Sequence, residues 1–157
     1  MSQFQHTEFL VKKFYGLCKS QMELDLGPDW IVRMIRFVTS FSEDLEADYN
    51  EFSEMFSTAN YALNKVLEEM AYCIYKKERF EYIKFSVLKN DHSAQGRRST
   101  KEEVWAELYQ ETEHAELVDE VNFMNQLKGL AFTIRDLVSK RADFLAEAAR
   151  TRRKERT

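Results

Sequence analysis

The sequence predicts an all-α protein, built from long antiparallel amphipathic helices that form a bundle, and two observations support this prediction. The chain of 157 residues contains four glycines and one proline, so the tight turns on which hairpin-rich β folds depend are scarce. Between Pro28 and Gly96, apolar residues recur at helical spacing for most of the distance. We therefore expect a single helical domain, residues 1–157, that assembles into a homo-oligomer.

The first two helical stretches are separated by the turn Gly27-Pro28-Asp29. Residues 1–27 are amphipathic and predict an N-terminal helix. Proline suits a first helical turn but not the middle of a helix, so a second stretch is predicted over residues 28–89. One unbroken helix of that length would measure roughly 90 Å at the usual rise, too long for a compact domain of this size. We expect it either to break between Phe41 and Leu45 or to pack against other chains.

Within this stretch, the apolar residues advance in alternating steps of four and three, which keeps one seam turned toward a partner helix. Because several seam positions are aromatic, a bundle is favoured over a two-stranded coiled coil. The predicted seam consists of Leu45, Tyr49, Phe52, Phe56, Ala59, Leu63, Val66, Met70 and Cys73.

The C-terminal half is predicted to begin with a loop over residues 90–99, which are rich in turn formers. Ser99 or Thr100 then caps a helix, with Glu102 or Glu103 as the reciprocal partner. Residues 100–150 are predicted to form two helices, the last of which is interrupted only at Gly129 and lies antiparallel to the preceding long helix. We expect the basic tail, residues 151–157, to fray.

Charge is distributed unevenly along a chain whose formal net charge is −4. Residues 76–101 carry eight basic and three acidic side chains, whereas residues 102–139 carry two basic and nine acidic ones. Net charge therefore does not decide whether the protein binds nucleic acid, but the first of these segments is a basic block.

The basic block also carries aromatic side chains. Proteins bind single-stranded nucleic acid with basic side chains that contact the phosphates and aromatic side chains that stack on the bases. The basic block contains both types of side chain. The alternative interpretation is ordinary packing, in which the aromatics enter the core and the basic side chains form the solvated face. The cations are Lys76, Lys77, Arg79 and Lys84, and the aromatics are Tyr72, Tyr75, Phe80, Tyr82 and Phe85.

The run Lys77-Glu78-Arg79-Phe80-Glu81-Tyr82, followed by Gly96-Arg97-Arg98-Ser99 and a polar helix, resembles the recombination mediators of T4-type phages, the UvsY family. In that family, a Lys-x-Arg-apolar-acidic-Tyr segment precedes a Gly/Arg/Ser loop. In that family, a break follows the polar helix, and a long final helix then carries an Arg near its end. Arg141 occupies the matching position here. The resemblance covers roughly residues 60–150.

The resemblance implies a protein without enzymatic activity that binds single-stranded DNA as a homo-oligomeric ring. Such a protein helps to load a RecA-like recombinase onto DNA covered by single-strand-binding protein. Lys77 and Arg79 match the family's DNA-contacting pair and Tyr82 its aromatic residue, and the aromatic seam is then the expected subunit contact. Charge clustering adds four candidate DNA-binding residues: Lys76, Lys84, Arg97 and Arg98.

Other motifs point to no catalytic or metal chemistry. Glu111 and His114 have the Glu-x-x-His spacing of di-iron bundles, but no second copy exists, so we expect a surface histidine rather than a metal ligand. Phosphate-binding, dinucleotide and zinc motifs do not occur, and no cofactor is expected. Cys18 and Cys73 are interpreted as reduced core thiols.

The alternative function is that of a helical adaptor or assembly protein, which binds another protein through its acidic faces and its seam and has no nucleic-acid role. No apolar run approaches the length of about 20 residues that a membrane span requires. We expect a cytoplasmic location, in the host cytoplasm if a phage encodes the protein.

Overall fold

A computed structural model describes residues 2–39 and 44–156, with Leu45 described by its backbone alone. The described residues form five α-helices and no strand, so the predicted all-α fold is confirmed. None of these helices has both the length and the apolar character needed to cross a membrane. The helices are α1 Gln3–Met22, α2 Trp30–Thr39, α3 Leu45–Ala94, α4 Lys101–Leu108 and α5 Thr112–Glu155.

Side-chain caps determine where several helices begin. The predicted capping box of α4 is confirmed, with Thr100 as the N-cap and Glu103 as its partner. Each side chain accepts a hydrogen bond from the other residue's backbone N–H, which satisfies two donors that a helix start leaves unpaired. At the start of α3, Asp44 Oδ1 accepts hydrogen bonds from the backbone N–H groups of Glu46 and Ala47.

The stretch predicted over residues 28–89 consists of two helices, because α2 ends at Thr39 and α3 begins at Leu45. This resolves the alternative of one helix or two in favour of two. Phe41, one limit of the predicted break, and the Leu45 side chain, a predicted seam position, lie outside the described residues.

Two helices are longer than the sequence predicts. α3 continues to Ala94, so the first half of the predicted loop 90–99 is helical. His92, which is buried and hydrogen-bonded in this last turn, explains why turn-forming neighbours stay helical. α5 passes through Gly129 without interruption and extends to Glu155, into the predicted tail. The basic side chains of its last turn suit the negative end of the helix dipole.

The packing of the chain divides it into two compact units. The first unit comprises Met1–Val66 and Leu127–Thr157, and the second comprises Leu67–Gln126. α1 and α2 therefore belong to the first unit and α4 to the second, while α3 and α5 each contribute one part to either unit.

The first unit has an almost entirely apolar core. Phe14 of α1 and Trp30 of α2 meet with ring centroids 6.1 Å apart, and Trp30 Nε1 donates a hydrogen bond to Thr58 Oγ1 of α3. Predicted seam residues Ala59, Leu63 and Val66 of α3 are buried, and so are Leu127, Ala131, Ile134, Val138 and Leu145 of α5.

The aromatic seam packs within this unit, since the ring of Phe52 lies 6.2 Å from that of Phe37 and 5.5 Å from that of Phe56. Tyr49, also predicted to lie in the seam, is exposed. Arg141 occupies a buried position in the stripe of α5, between Val138 and Leu145. Burial lowers its pKa, and the negative charge of Asp48 works in the opposite direction.

The second unit combines α3 from Leu67 onward, α4 and the N-terminal part of α5. Leu88, Val104 and Leu108 form its core, against which Phe80, Phe85 and Trp105 pack. Lys76 of α3 pairs with Glu120 of α5, and Glu81 of α3 pairs with His114 of α5. Residue numbers along α3 therefore increase in the direction in which those along α5 decrease. The two helices are antiparallel here, as predicted.

Both cysteines are free and buried, as the sequence predicts. Burial raises the pKa of Cys18 to about 12, and it is also the largest cause of the raised pKa of Cys73. Neither thiol is therefore poised as a nucleophile.

Candidate nucleic-acid interface

An exposed row of side chains runs along α3 in the second unit, and we name it the tyrosine face. Its members are spaced three and four residues apart, which places them on one side of a helix. Tyr72 and Tyr75 are each 55% exposed and Tyr82 is 76% exposed, whereas buried aromatic side chains are the rule for a helix that packs on others. The tyrosine face consists of Tyr72, Tyr75, Arg79, Tyr82 and Ser86.

Arg79 is the cation at the centre of the tyrosine face. It is exposed, and among the residues that the structure describes it forms no ion pair. Tyr75 precedes it by four residues and Tyr82 follows it by three, so its guanidinium is flanked along the helix by two exposed rings. Cation and π surfaces therefore alternate over about 10 Å of helix, at 1.5 Å per residue.

Lys77 does not share this face. Because it precedes Arg79 by two residues, it lies about 160° around the helix from it. Its Nζ is 3.2 Å from Glu81 Oε1. The Lys77 and Arg79 pair that the resemblance singles out is therefore divided between two sides of α3.

Glu81 joins Lys77 to a buried histidine. His114 Nε2 lies 2.9 Å from Glu81 Oε1, and the imidazole stacks on Phe80 at 6.2 Å and contacts Tyr109 at 5.2 Å. The expectation of a surface histidine is therefore wrong, since His114 is 6% exposed. Burial by itself would raise the pKa of Glu81, but hydrogen bonds from His114 and Lys77 lower it overall.

Lys76 and Lys84 are also paired with carboxylates. Lys76 Nζ donates to Glu120 Oε2 at 2.6 Å, and Lys84 Nζ lies 3.1 Å from Glu111 Oε1. The hydrogen bond to Glu120 is the main cause of the raised pKa of Lys76. Ion pairs this exposed to water contribute at most about 1 kcal/mol to stability.

These two lysines differ in where they lie around α3. Lys76 is about 60° from Arg79, at the rim of the tyrosine face, whereas Lys84 is about 140° away. The ammonium of Lys76 also lies over the ring of Tyr72, 5.2 Å from its centroid. Of the paired lysines, Lys76 alone borders the exposed rings.

The aromatic residues of the basic block divide in the same way. Phe80 and Phe85 pack against the core of the second unit, as the alternative interpretation of the block expects. Tyr72, Tyr75 and Tyr82 point to water. Only the tyrosines are available to stack on a ligand.

Arg97 and Arg98 lie beyond the end of α3 and are exposed. The turn is set by Gly96, whose φ of 72° is one that glycine adopts without strain. It is also held by His92, whose Nδ1 is 2.8 Å from Ser99 Oγ and whose Nε2 is 2.7 Å from Glu107 Oε2. The two arginines are thus presented by a fixed turn.

A cavity of about 200 Å³ opens beside this turn. Two lysines, Lys89 of α3 and Lys101 of α4, line it, and within the described part of the chain neither forms an ion pair. Lys89 follows Ser86 by three residues and continues the tyrosine face toward the cavity. Its other lining residues are Phe85, Ser99, Thr100 and Val104.

The structure thus brings Arg79 and Tyr82 together, places Lys76 at their rim, and leaves Arg97 and Arg98 at the end of the same helix. It does not bring Lys77 and Lys84 to this surface. Sequence reasoning missed the contribution of Lys89 and Lys101, although the spacing from Tyr82 to Ser86 and Lys89 is a signal that could have revealed Lys89. Within residues 2–39 and 44–156, no group of His, Cys, Asp and Glu side chains is placed to hold a metal ion.

Comparisons with models of protein families, with curated proteins and with solved structures found no match.

Proposed function

We propose that the second unit binds single-stranded DNA along the tyrosine face and that the protein acts as a recombination mediator. The observation that supports binding is the exposed row of three tyrosines around Arg79. Exposed rings stack on bases whatever their sequence, and a cation among them neutralises phosphate. Bases in a duplex are already stacked, so this arrangement favours a single strand.

The path of the strand follows from the same residues. It runs along α3 from Tyr72 toward Lys89 and ends near Arg97, Arg98 and Lys101. Arg97 and Arg98 lie in the turn between α3 and α4, and Lys101 begins α4. Within the described residues these three cations form no ion pair. A strand along this path first meets the three tyrosines and Arg79, and then a group of cations near the end of α3.

The mediator role comes from the resemblance between Lys77–Tyr82 with the turn that follows and the phage recombination mediators. On this proposal, the protein loads a RecA-like recombinase onto DNA that single-strand-binding protein covers. It acts in the cytoplasm as a homo-oligomer and carries out no covalent chemistry. Assembly would place several tyrosine faces along one strand and raise the affinity through multivalency.

A double substitution tests the proposed interface. Arg79→Ala with Tyr82→Ala should weaken binding to an oligo-dT strand, measured by fluorescence anisotropy, by roughly 5- to 150-fold, since stacking contributes about 1–3 kcal/mol per base. Loss of the Arg79 contact should also reduce the slope of log affinity against log salt by about 0.7.

The matched control is Arg36→Ala with Tyr49→Ala. It removes the same two side-chain types from exposed positions in the first unit. Equal losses in the two double variants, or unchanged binding in the first, would exclude the tyrosine face as the DNA-binding site.

The second candidate function is that of a helical adaptor for another protein. Ile83 and Val87, which border the tyrosine face, are 49% and 45% exposed, and exposed apolar side chains beside aromatics are common at protein interfaces. This function predicts no DNA affinity at any salt concentration, together with a stable oligomer by light scattering.

A further inference from the structure

The lysine at the rim of the tyrosine face is held by a carboxylate of its own protein. Lys76 and its partner Glu120 lie 44 positions apart in the sequence, on antiparallel helices of the second unit. The carboxylate oxygen of Glu120 lies 2.6 Å from the ammonium of Lys76. A phosphate oxygen of a bound strand would need that same position.

The pair is accessible to solvent and to ligands. The side chain of Lys76 is 33% exposed and that of Glu120 is 48% exposed. An ion pair at such a surface is weak and screened by salt, so a polyanion can compete for the lysine. By contrast, the Glu81 side chain is 16% exposed and is also bonded to His114, which ties its pair with Lys77 to the packing of the unit.

We propose that Glu120 is an internal competitor of phosphate, which withholds Lys76 from the DNA strand and so limits the affinity of the tyrosine face. This inference rests on the proposed function, because it concerns the regulation of that same site. Lys76 already contacts the ring of Tyr72. Once released from Glu120, its ammonium can neutralise a phosphate next to a base stacked on that ring.

The pair between Lys84 and Glu111 offers a matched control. Its exposed fractions, 31% and 36%, are close to those of the first pair, and its N–O distance is 3.1 Å. Removing Glu111 or Glu120 changes the net charge by the same amount, and both carboxylates belong to the same acidic segment. The difference is that Lys84 lies on the far side of α3 from the tyrosine face.

The experiment measures oligo-dT binding by anisotropy at several salt concentrations for the full chain and for Glu120→Gln and Glu111→Gln. Glu120→Gln should steepen the salt dependence by about 0.7, the value for one additional phosphate contact on a single strand. If the affinities converge at 1 M salt, this slope corresponds to about fivefold tighter binding at 0.1 M. Glu111→Gln should leave the slope unchanged.

A further variant identifies the lysine through which Glu120 acts. Adding Lys76→Ala to Glu120→Gln should return the slope to that of the unmodified protein. Thermal unfolding of each variant, followed by circular dichroism, shows whether the fold is retained.

The possible results separate the two proposals. Equal changes in Glu120→Gln and Glu111→Gln would reveal a general charge effect and overturn the competitor role. DNA binding by the unmodified protein with no change in Glu120→Gln would also overturn it, while leaving the proposed function in place. Absence of binding in every variant at low salt would overturn both.

Discussion

Each of the two units of this protein is stabilised internally by a different kind of contact. In the first, buried positions are occupied by apolar side chains such as Phe14, Met34 and Ile134, with Arg141 as a buried charge. In the second, two histidines, His92 and His114, are buried, and each is bonded to a carboxylate. The first unit therefore depends mainly on apolar burial, and the second depends more on polar contacts.

The two units also differ in how their aromatic side chains are arranged. In the second unit, tyrosines that could have enlarged the core stay on the outer side of α3, while polar pairs connect its other side to α5. In the first unit, the ring of Phe52 contacts those of Phe37 and Phe56, and all three rings are at least half-buried. The first unit also exposes rings, among them Phe9 and Tyr49, but the second unit arranges Tyr72, Tyr75 and Tyr82 in one row on the same helix.

The largest effect is expected from the core of the first unit. Phe14 is fully buried, so Phe14→Ala should lower the free energy of unfolding by about 3–5 kcal/mol through lost burial and a cavity. Chemical denaturation followed by circular dichroism measures this change. Phe9→Ala, which truncates a 52% exposed ring on the same helix, should cost far less. Similar costs for the two variants would contradict the comparison between the units.

A smaller effect is expected from the polar contacts of the second unit. His92→Ala removes two hydrogen bonds of a buried side chain, to Ser99 and Glu107, and should cost about 1–3 kcal/mol, at about 0.5–1.5 kcal/mol for each bond. His6→Ala, at an exposed position, should stay within about 0.5 kcal/mol of the unmodified protein. A cost for His92→Ala above that for Phe14→Ala would reverse the ranking of the two units.

The smallest effect is a pH dependence that depends on Glu81. Since its pKa in the folded protein lies below the ordinary value of 4.5, its charged form stabilises the fold above that pH, and this contribution is lost as the pH falls through the folded pKa. The thermal midpoint of Glu81→Gln should therefore decline less than that of the unmodified protein on acidification below about pH 4.5. Glu78→Gln, on the exposed side of α3, should decline as the unmodified protein does.

Much of the fold could be predicted because helical periodicity is a local property. The cap at Thr100, the break before Thr112 and the buried stripe of α5 all follow from residues within a few turns of one another. The end of α3 could not be predicted, since His92 is buried through contacts with Ser99 and Glu107. Turn-forming neighbours gave no sign of that packing.

The candidate site could be predicted only in part. Arg79 and Tyr82 share a face of α3 because they are three residues apart, a spacing that is visible in the sequence. The separation of Lys77 from Arg79 was visible in their spacing of two, but the resemblance to the phage mediators favoured treating them together. The partnership of Lys76 with Glu120 was not visible, because it depends on the register of two helices far apart in the sequence.

The burial of both thiols has a practical consequence for measuring DNA binding with a fluorescent label. Cys18 and Cys73 are enclosed and have raised pKa values, so maleimide reagents should react with them slowly while the protein is folded. A cysteine introduced in place of the exposed Ser86 would then be the preferred point of attachment for a fluorophore. Arrival of a strand on α3 could be recorded directly, with the native cysteines left in place.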